Sequence, residues 1–403
     1  MADILIQGGG LAGNTLALAL AQTNKNIIVV EPFLPSDKKK HRLESRTIAL
    51  SYGSKCIYEA LGVWPRLATH ATPIEHIHVS DKGHFGITRL HAKQQNMPAL
   101  GYVLPIAEVN QVLTTALAAY PHVQRYCPAF LRDIHLSSHR WKGILASTDQ
   151  VTQTAIEADL LIATDGADSP LRKKQKLVIS EKDYEQTAFV SVVDLSSPHH
   201  NTAYERFTDE GPIALLPLQD NQAALVLTVN NCYVNKWLGY SDAAFLQALQ
   251  TLFGYRLGRF LAIGPRVTYP LTLQTSPVQT ATQFLVMGNA ANVMHPIAAQ
   301  SFNLAVRDIA LFAELVKAAS LSKLSLTDPL LLKNYETQRT ADQQRTIAFT
   351  DRLIDIFTTP VLRLPRNALM TVLEFAPPLK TLLGRYAAGA LGKRTRLSRG
   401  LPL

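Results

Sequence analysis

The chain opens with a short apolar run, Ile4-Leu5-Ile6, that stops at Gly8-Gly9-Gly10-Leu11-Ala12-Gly13. A charge-free, Ala/Leu-rich segment follows to about Gln22, and a second β-branched run, Ile27 to Val30, ends in Glu31. Short continuous apolar runs predict strands buried on both faces, and the longer stretch between them predicts a helix. The expected order is strand, glycine turn, helix, strand, acid. A polar loop rich in lysine (Lys38, Lys39, Lys40) leads to a helix expected over Gly53 to Leu61, with Gly62 as its C-cap and Trp64-Pro65 as the exit. Ile74 to Arg89 alternates like two strands about a turn at Asp81-Lys82-Gly83, and Ile106 to Ala119 carries Val109, Val112, Leu113 and Leu117 at helical spacing. Ile144 to Ile156 reads as a polar hairpin, and Asp159 to Thr164 as a buried strand running into Asp165-Gly166-Ala167-Asp168-Ser169-Pro170-Leu171-Arg172.

Residues 184–272 are rich in strand-like runs (Phe189 to Val193, Ile213 to Leu218, Ala223 to Val229), interrupted by a helix near Asp242 to Phe253; a mostly antiparallel second domain is expected there. Gln283 to Met287 returns to the buried-strand type. After Gly288-Asn289 and His295-Pro296 comes a helix with Phe302, Val306, Ile309, Phe312 and Val316 on one face and Arg307, Asp308 and Glu314 off it. The last sixty or so residues pattern as amphipathic helices, broken at Pro360, Pro365 and Pro377-Pro378 and ending in Lys393, Arg394, Arg396 and Arg399.

The first stretch carries candidate chemistry. Gly8 suits a tight turn, Gly10 lets the backbone approach a pyrophosphate, and Gly13 lets helix and strand pack closely. The helix end, beginning at Leu11 and Ala12, offers free N–H groups and a positive dipole to phosphates, and Glu31 can accept from a ribose diol. On these residues alone NAD and FAD are equally good ligands.

Composition narrows the rest. With 403 residues, 47% apolar and 18% charged, the chain is an ordinary globular one of two or three structural units, not a disordered one. Cys56, Cys127 and Cys232 match no metal or redox spacing, and so sparse and odd a set suits a reducing cytoplasm. The net charge of +9 would suit an anionic cofactor or membrane surface; without a zinc knuckle or RNP-type motif, nucleic acid is not expected as a partner. The uncharged stretch Ile4 to Asn24 is interrupted by Gln7, Gly8, Gly9, Gly10, Gly13, Asn14 and Gln22, and Met-Ala-Asp is no basic n-region, so neither a signal peptide nor a span is expected. The expected location is cytoplasmic, at most peripheral at the inner face of the cytoplasmic membrane. His76 and His78 share a strand face but lack a third ligand at motif spacing, so no metal is expected.

Three motifs in order, the glycine fingerprint, DGADSPLR (Asp165 to Arg172) and GNAANVMHPIAAQSFNLAVRD (Gly288 to Asp308), resemble the class A flavoprotein aromatic hydroxylases, the p-hydroxybenzoate-hydroxylase-like FAD monooxygenases. The likeness runs from the first residues to about Arg345. SRTIALS (Ser45 to Ser51), LGVWPRL (Leu61 to Leu67), HVSDKGHFG (His78 to Gly86) and YERFTDEGPIALLPL (Tyr204 to Leu218) are similar to the ubiquinone-biosynthesis subgroup, of the 2-polyprenyl-6-methoxyphenol hydroxylase type. The resemblance implies a mixed α/β (α+β) fold in three parts. These are a discontinuous Rossmann-like FAD/NAD(P)-binding domain (1–73, 97–180, 273–345), an inserted antiparallel-sheet substrate domain (74–96, 181–272) and a C-terminal helical region (346–403).

It also implies the site. Gly8, Gly10, Leu11, Ala12, Gly13 and Glu31 would hold the ADP half of FAD; Arg46 and Gln111 would lie near the cofactor; Asp165 and Gly166 would sit beside the pyrophosphate. Gly288 and Asn289 would reach the ribityl chain or a phosphate, and Pro296, Ala299, Gln300, Ser301, Phe302 and Asn303 would wrap the isoalloxazine. The implied reaction is reduction of FAD by NADH or NADPH, then transfer of one oxygen atom of O2 through a flavin C4a-hydroperoxide to a polyprenyl phenol. Because that chemistry belongs to the flavin, no Ser-His-Asp set or carboxylate pair is needed, and no catalytic residue is assigned. His295 suits either a base or a turn histidine before Pro296. Where the family run is close to HPIAGQGFNLGLRD, this chain has Ala299, Ser301 and Ala305 for the glycines; any that needs positive φ costs about 1 kcal/mol or more. Asn289 replaces an acid of the wider family, as it does in the ubiquinone subgroup. Three readings compete: this hydroxylase; a sibling acting on another ring carbon or a small aromatic; and a non-catalytic scaffold of a biosynthetic assembly. A lipid-tailed substrate suits a basic C-terminal region touching a membrane; intramolecular packing or homo-oligomer contact explains that region equally well.

Overall fold

The computed structural model describes residues 2–34, 47–147, 153–392 and 394–403. The lysine loop, Arg46 and Lys393 lie outside the described residues.

Strand β1 (Ala2–Gln7), helix α1 (Leu11–Ala21) and strand β2 (Ile27–Val30) form as the apolar pattern predicts. β1 pairs in parallel with β2 on one side and with Gln153–Ala163 on the other. Val123–Tyr126 extends the sheet beyond β2, and Phe284–Val286 beyond Gln153–Ala163, again in parallel. Ile4, Leu5, Ile6, Val29 and Val30 are almost wholly removed from solvent because both faces are covered. On one face α1 is buried throughout from Gly13 to Ala21, against the Ile106–Leu117 and Gln300–Leu321 helices. On the other, a hairpin (Ala129–Ser137 and Arg140–Ser147) supplies Trp141, whose indole N–H donates to the Gln283 carbonyl at 2.7 Å. The polar hairpin expected at 144–156 pairs Ile144 with Ala155; its second strand runs on to become the parallel neighbour of β1.

A second sheet takes strands from residues 76–91 and 180–275, and the Asn292–Val293 strand joins it at the edge. It is antiparallel except where His76–Asp81 meets Thr202–Thr208. One face is sealed: Phe189, Val193, Ile213, Leu225 and Val229 pack on Trp237, Phe245 and Phe253 from the two helices that follow in sequence. The other face looks toward the parallel sheet. There Ala203 packs with Ala49, Ile74 and Val103, and Phe207 with Ile297 and Ile354. His76 and His78 share no ligand: His76 Nδ1 meets His91 Nδ1, and His78 meets the Arg256 guanidinium. No metal-holding cluster of three His, Cys, Asp or Glu occurs among the described residues.

Three sequence expectations need correction. Trp64-Pro65 is not an exit but the start of a short helical turn, Trp64–Leu67. Pro365 does not break a helix; it lies in the first turn of Arg363–Phe375, where an amide has no intrahelical acceptor to lose. Asp308 is not on an exposed face. It is buried, and its Oδ1 accepts from Arg339 Nε at 2.5 Å while Gln343 Nε2 donates to Oδ2 at 2.9 Å. A helical wheel places a charge outside the apolar stripe, but a guanidinium from the next helix makes its burial tolerable. That next helix, Pro329–Thr358, runs unbroken across residue 345. The last helices are pinned to the second sheet: Arg366 Nη2 and Nε meet Asp81 Oδ2 at 2.7 and 2.9 Å, and Asn367 Nδ2 donates to the same oxygen. No helix among the described residues is long and apolar enough to cross a membrane.

Candidate active site

Gly8, Glu31, Asp165 and Gly288 each follow the C-terminal end of a parallel strand, so the sequence motifs converge on the crevice where such sheets bind ligands. The glycines there differ in why they are glycine. Gly8 has φ +102° and a Cβ on it would stand 2.5 Å from the Thr164 carbonyl oxygen; a Cβ on Gly13 would stand 1.8 Å from the Gly8 oxygen. Both are required by the protein's own backbone. At Gly10 no atom lies within 4 Å of an added Cβ. Its space is open, and a reason for glycine has to come from outside the chain. Gly10 also N-caps α1 with no side-chain cap, and no acid stands in the first turn, so the amides beginning at Leu11 and Ala12 keep their capacity for an anion.

Glu31 is buried beside this turn. Its Oε2 accepts the Gly9 N–H at 2.7 Å and its Oε1 the Phe33 N–H at 3.2 Å, which orients the carboxylate across the glycine loop. Asn14, which the motif does not mark, donates from Nδ2 to the Gly9 carbonyl at 2.7 Å. Both carboxylate oxygens of Asp165 are enclosed without a hydrogen-bond partner of normal geometry. Burial raises its pKa, against the opposing pull of the nearby Ser169 hydroxyl and the Arg172 guanidinium. An enclosed carboxylate of this kind suits a site completed by a ligand's hydroxyl or amide donors. Gly166 follows it beside open space. Arg172 is a strut: it donates from Nη1 to the Ala290 carbonyl and from Nη2 to the Ala167 carbonyl, each at 2.7 Å, tying the 165–172 loop to the 288–290 turn. Gly288 abuts Ala12, so Asn289, exposed on that turn, stands next to the first turn of α1.

The second cluster surrounds the start of the Gln300–Leu321 helix. Its N-cap is Ala299, in the left-handed region (φ 49°, ψ 38°), preceded by Ala298 at φ 57°. This end also lacks a side-chain cap and a first-turn acid. Of the three departures from the family glycines, only Ala299 has positive φ; Ser301 and Ala305 are ordinary helical residues. The Asn303 side chain is committed to the protein. It donates to the carbonyls of Ala49 (2.9 Å) and Ala299 (2.7 Å) and accepts from Ser51 N–H (2.8 Å) and Ser54 Oγ (2.7 Å). Gln300 donates to the Ala298 carbonyl, Phe302 packs on the main core, and Pro296 and Ser301 are half-buried. Gln111 is exposed on the Ile106–Leu117 helix. His295 is buried. Its Nδ1 accepts the Ile297 N–H at 3.1 Å, which leaves Nε2 to donate to Gln186 Oε1, and burial lowers its pKa to about 4. It is neutral at pH 7 and holds the turn.

An open cradle at Gly10, two uncapped helix ends, a ribose-type carboxylate and an enclosed, unpartnered Asp165 suit a dinucleotide carrying a pyrophosphate and a second polar end. A family model described as FAD binding domain matches residues 1–350. The chain belongs to this family. It is 31% identical to ubiquinone hydroxylase UbiL of Rhodospirillum rubrum, an alignment covering 100% of this chain and 94% of that one. It is 29% identical to the 3-demethoxyubiquinol 3-hydroxylase of Escherichia coli, over 96% and 98% of the two chains. Among solved structures, p-nitrophenol 4-monooxygenase PnpA of Pseudomonas putida superposes with a TM-score of 0.81 at 15% identity, covering 98% of this chain and 99% of that one. That likeness bears on the fold. As a member of the FAD-binding family, the protein has residues at both ends of the crevice that fit FAD.

Two substitutions test the site. Gly10→Val should leave the melting temperature nearly unchanged, since nothing in the chain opposes the side chain, while bound flavin per protein falls at least tenfold; full flavin occupancy would refute the cradle. Ala299→Gly removes a left-handed alanine and should stabilise the fold by about 1 kcal/mol, read as a rise of about 1–2 °C in thermal midpoint. An unchanged or lower midpoint would mean that the turn is not strained.

Proposed function

We propose that the protein is an FAD-dependent monooxygenase that hydroxylates the ring of a polyprenyl phenol in ubiquinone biosynthesis, with NADH or NADPH as reductant and O2 as the oxygen source. The observation that carries this reading is the crevice itself, with its two uncapped helix ends and, facing the second of them, a half-buried apolar wall of the antiparallel sheet. The names of the full-length relatives support the substrate class. FAD, when bound, supplies the activation of oxygen. The chain's own part is to bind, orient and keep water out. Val79, Ala214, Leu216 and Val226 form the half-buried wall against which a ring can lie. Beside it a cavity of about 180 Å³ is lined by Gln186, Phe207, Pro212, Asn230, His295 and Ile297. With His295 neutral and its nitrogens used, that residue orients the turn and moves no proton.

The same reading takes the C-terminal helices to a membrane. Asn367, Met370 and Lys380 are buried against the protein, but Val361, Leu364, Leu369, Val372, Phe375 and Leu382 are exposed, Phe375 to 81%. Arg385 is exposed on the same helix as Leu382, and Glu374 is occupied by Lys380 and the Arg89 N–H. Exposed apolar residues with a cation among them suit the surface of an anionic bilayer, where a substrate with a polyprenyl tail resides.

The purified protein should be yellow or take up FAD on reconstitution. A prenylated phenol should accelerate its oxidation of NADH or NADPH, and oxygen from 18O2 should appear in the ring product; a colourless protein that cannot be reconstituted would sink the enzyme reading. Expression in strains lacking each ring hydroxylase identifies the carbon attacked. In flotation assays the protein should bind phosphatidylglycerol-containing vesicles in preference to pure phosphatidylcholine, and Phe375→Glu with Leu382→Glu should abolish binding. Variants that float unchanged but lose self-association in sedimentation would assign the face to a second copy instead.

A further inference from the structure

The Thr202–Thr208 strand presents residues 203, 205 and 207 to one face of the sheet. Ala203 packs in a cluster with Ala49, Val103 and Ala299, and Phe207 in one with Ile297 and Ile354. Glu205 stands between them, facing the 297–299 turn. Its cross-strand neighbours are Val79 and Ala214, both apolar. Among the described residues no hydrogen bond or ion pair reaches its carboxylate. The residue is crowded by protein yet keeps some accessible surface, so it looks into the space between sheet and turn. A carboxylate built for structure would be given a partner, because burying one without a partner is costly.

We propose that Glu205 accepts the hydrogen of the ring hydroxyl when the phenol substrate is bound. This rests on the hydroxylase reading above. The ring O–H bond yields its proton to a Glu205 oxygen, its electron pair stays on the ring oxygen, and the carbon to be hydroxylated becomes more nucleophilic. The carbon that gains the oxygen gives up its own hydrogen as a proton to solvent, the proton held by Glu205 returns to the ring oxygen as aromaticity is regained, and Glu205 ends each turnover as it began.

Burial alone pushes the Glu205 pKa up to about 7. A base that ionises near neutrality is well matched to a proton it must both take and return. The charged and titratable groups on the surrounding elements are otherwise engaged. Asp81 is held by Arg366, Tyr184 donates to Asp351, His295 is neutral, and His78, Tyr204 and Arg206 belong to the opposite face of the sheet.

The test uses the FAD-loaded protein. Without reductant, a prenylated phenol and its methyl ether are titrated while the flavin spectrum is followed. The wild type should prefer the phenol at least tenfold and Glu205→Leu should lose that preference, with flavin content and thermal midpoint checked for both. In turnover, kcat/KM of the wild type should rise with pH through about 7. Glu205→Gln can still accept a hydrogen bond but not a proton, so it should keep phenol binding, fall roughly 100-fold in kcat and lose that acidic limb; Glu205→Asp should restore the limb. A Glu205→Gln protein with the wild-type pH profile and a rate within twofold overturns the assignment. A wild type that binds phenols in preference to ethers but oxidises none overturns the hydroxylase reading instead.

Discussion

The close approach of Gly13 to the carbonyl of Gly8 is the constraint on which the rest depends. It lays α1 against β1 with no side chain between them, and so delivers an uncapped helix end to the tip of the central strand. Everything around that tip then acquires a purpose. Thr164 bonds back to the carbonyls of Gln7 and Gly8 and keeps the neighbouring strand end in line. Glu31 braces the loop through Gly9, and Arg172 draws the Gly288 turn alongside. A helix dipole and a row of open amides have value only when a ligand, not solvent, meets them, and this packing puts them at the floor of a crevice.

The first half of the site was legible because it is local. Gly8, Gly13 and Glu31 lie within one strand–helix–strand unit, and their spacing carries their geometry. The parallel strands at 2–7, 27–30 and 284–286 and the end of the one at 153–163 were legible as apolar runs, and the helix at 242–253 and the strands around it as changes of period, whereas Val123–Tyr126, with Gln124 and Arg125 in its middle, carries no such signal. What sequence could not carry were partners far apart along the chain. Arg172 reads as one of several basic residues in a loop, and only the fold brings it to Ala290. Asp308 reads as a surface charge until Arg339, on the next helix, is seen beside it. Pro365 reads as a break because the start of its helix is invisible in the pattern. Glu205 lay within a quoted motif, yet its surroundings depend on which face of the strand turns toward residues 297–299.

The two faces of the antiparallel sheet divide the labour of the second unit. The sealed face holds large side chains such as Trp237 and Phe245 in full contact and supplies rigidity. The opposite face carries small or half-buried residues, Ala203, Ala214 and Val226, that do not fill the space before them. Protein interiors close such gaps unless something else is to occupy them. A polar group on that wall is then chosen for the occupant, since no protein atom requires it.

The same logic accounts for a strained turn in a chain that has replaced the family's glycine. Ala298 and Ala299 both sit in the left-handed region, at a cost of about 1–2 kcal/mol each. Asn303 holds them there with four hydrogen bonds, one to the Ala299 carbonyl and three to the Thr47–Ser51 strand and the helix after it. At about 1 kcal/mol apiece these bonds are of the size needed to offset the strain. A side-chain amide whose lone pairs and protons are all taken is a stiffer support than a glycine that merely tolerates the angle. The departure at Ala299 is therefore compatible with a turn held in place for the flavin, and the argument that a lost glycine implies a lost cofactor has no footing in the backbone of Ser301 or Ala305, where φ is helical.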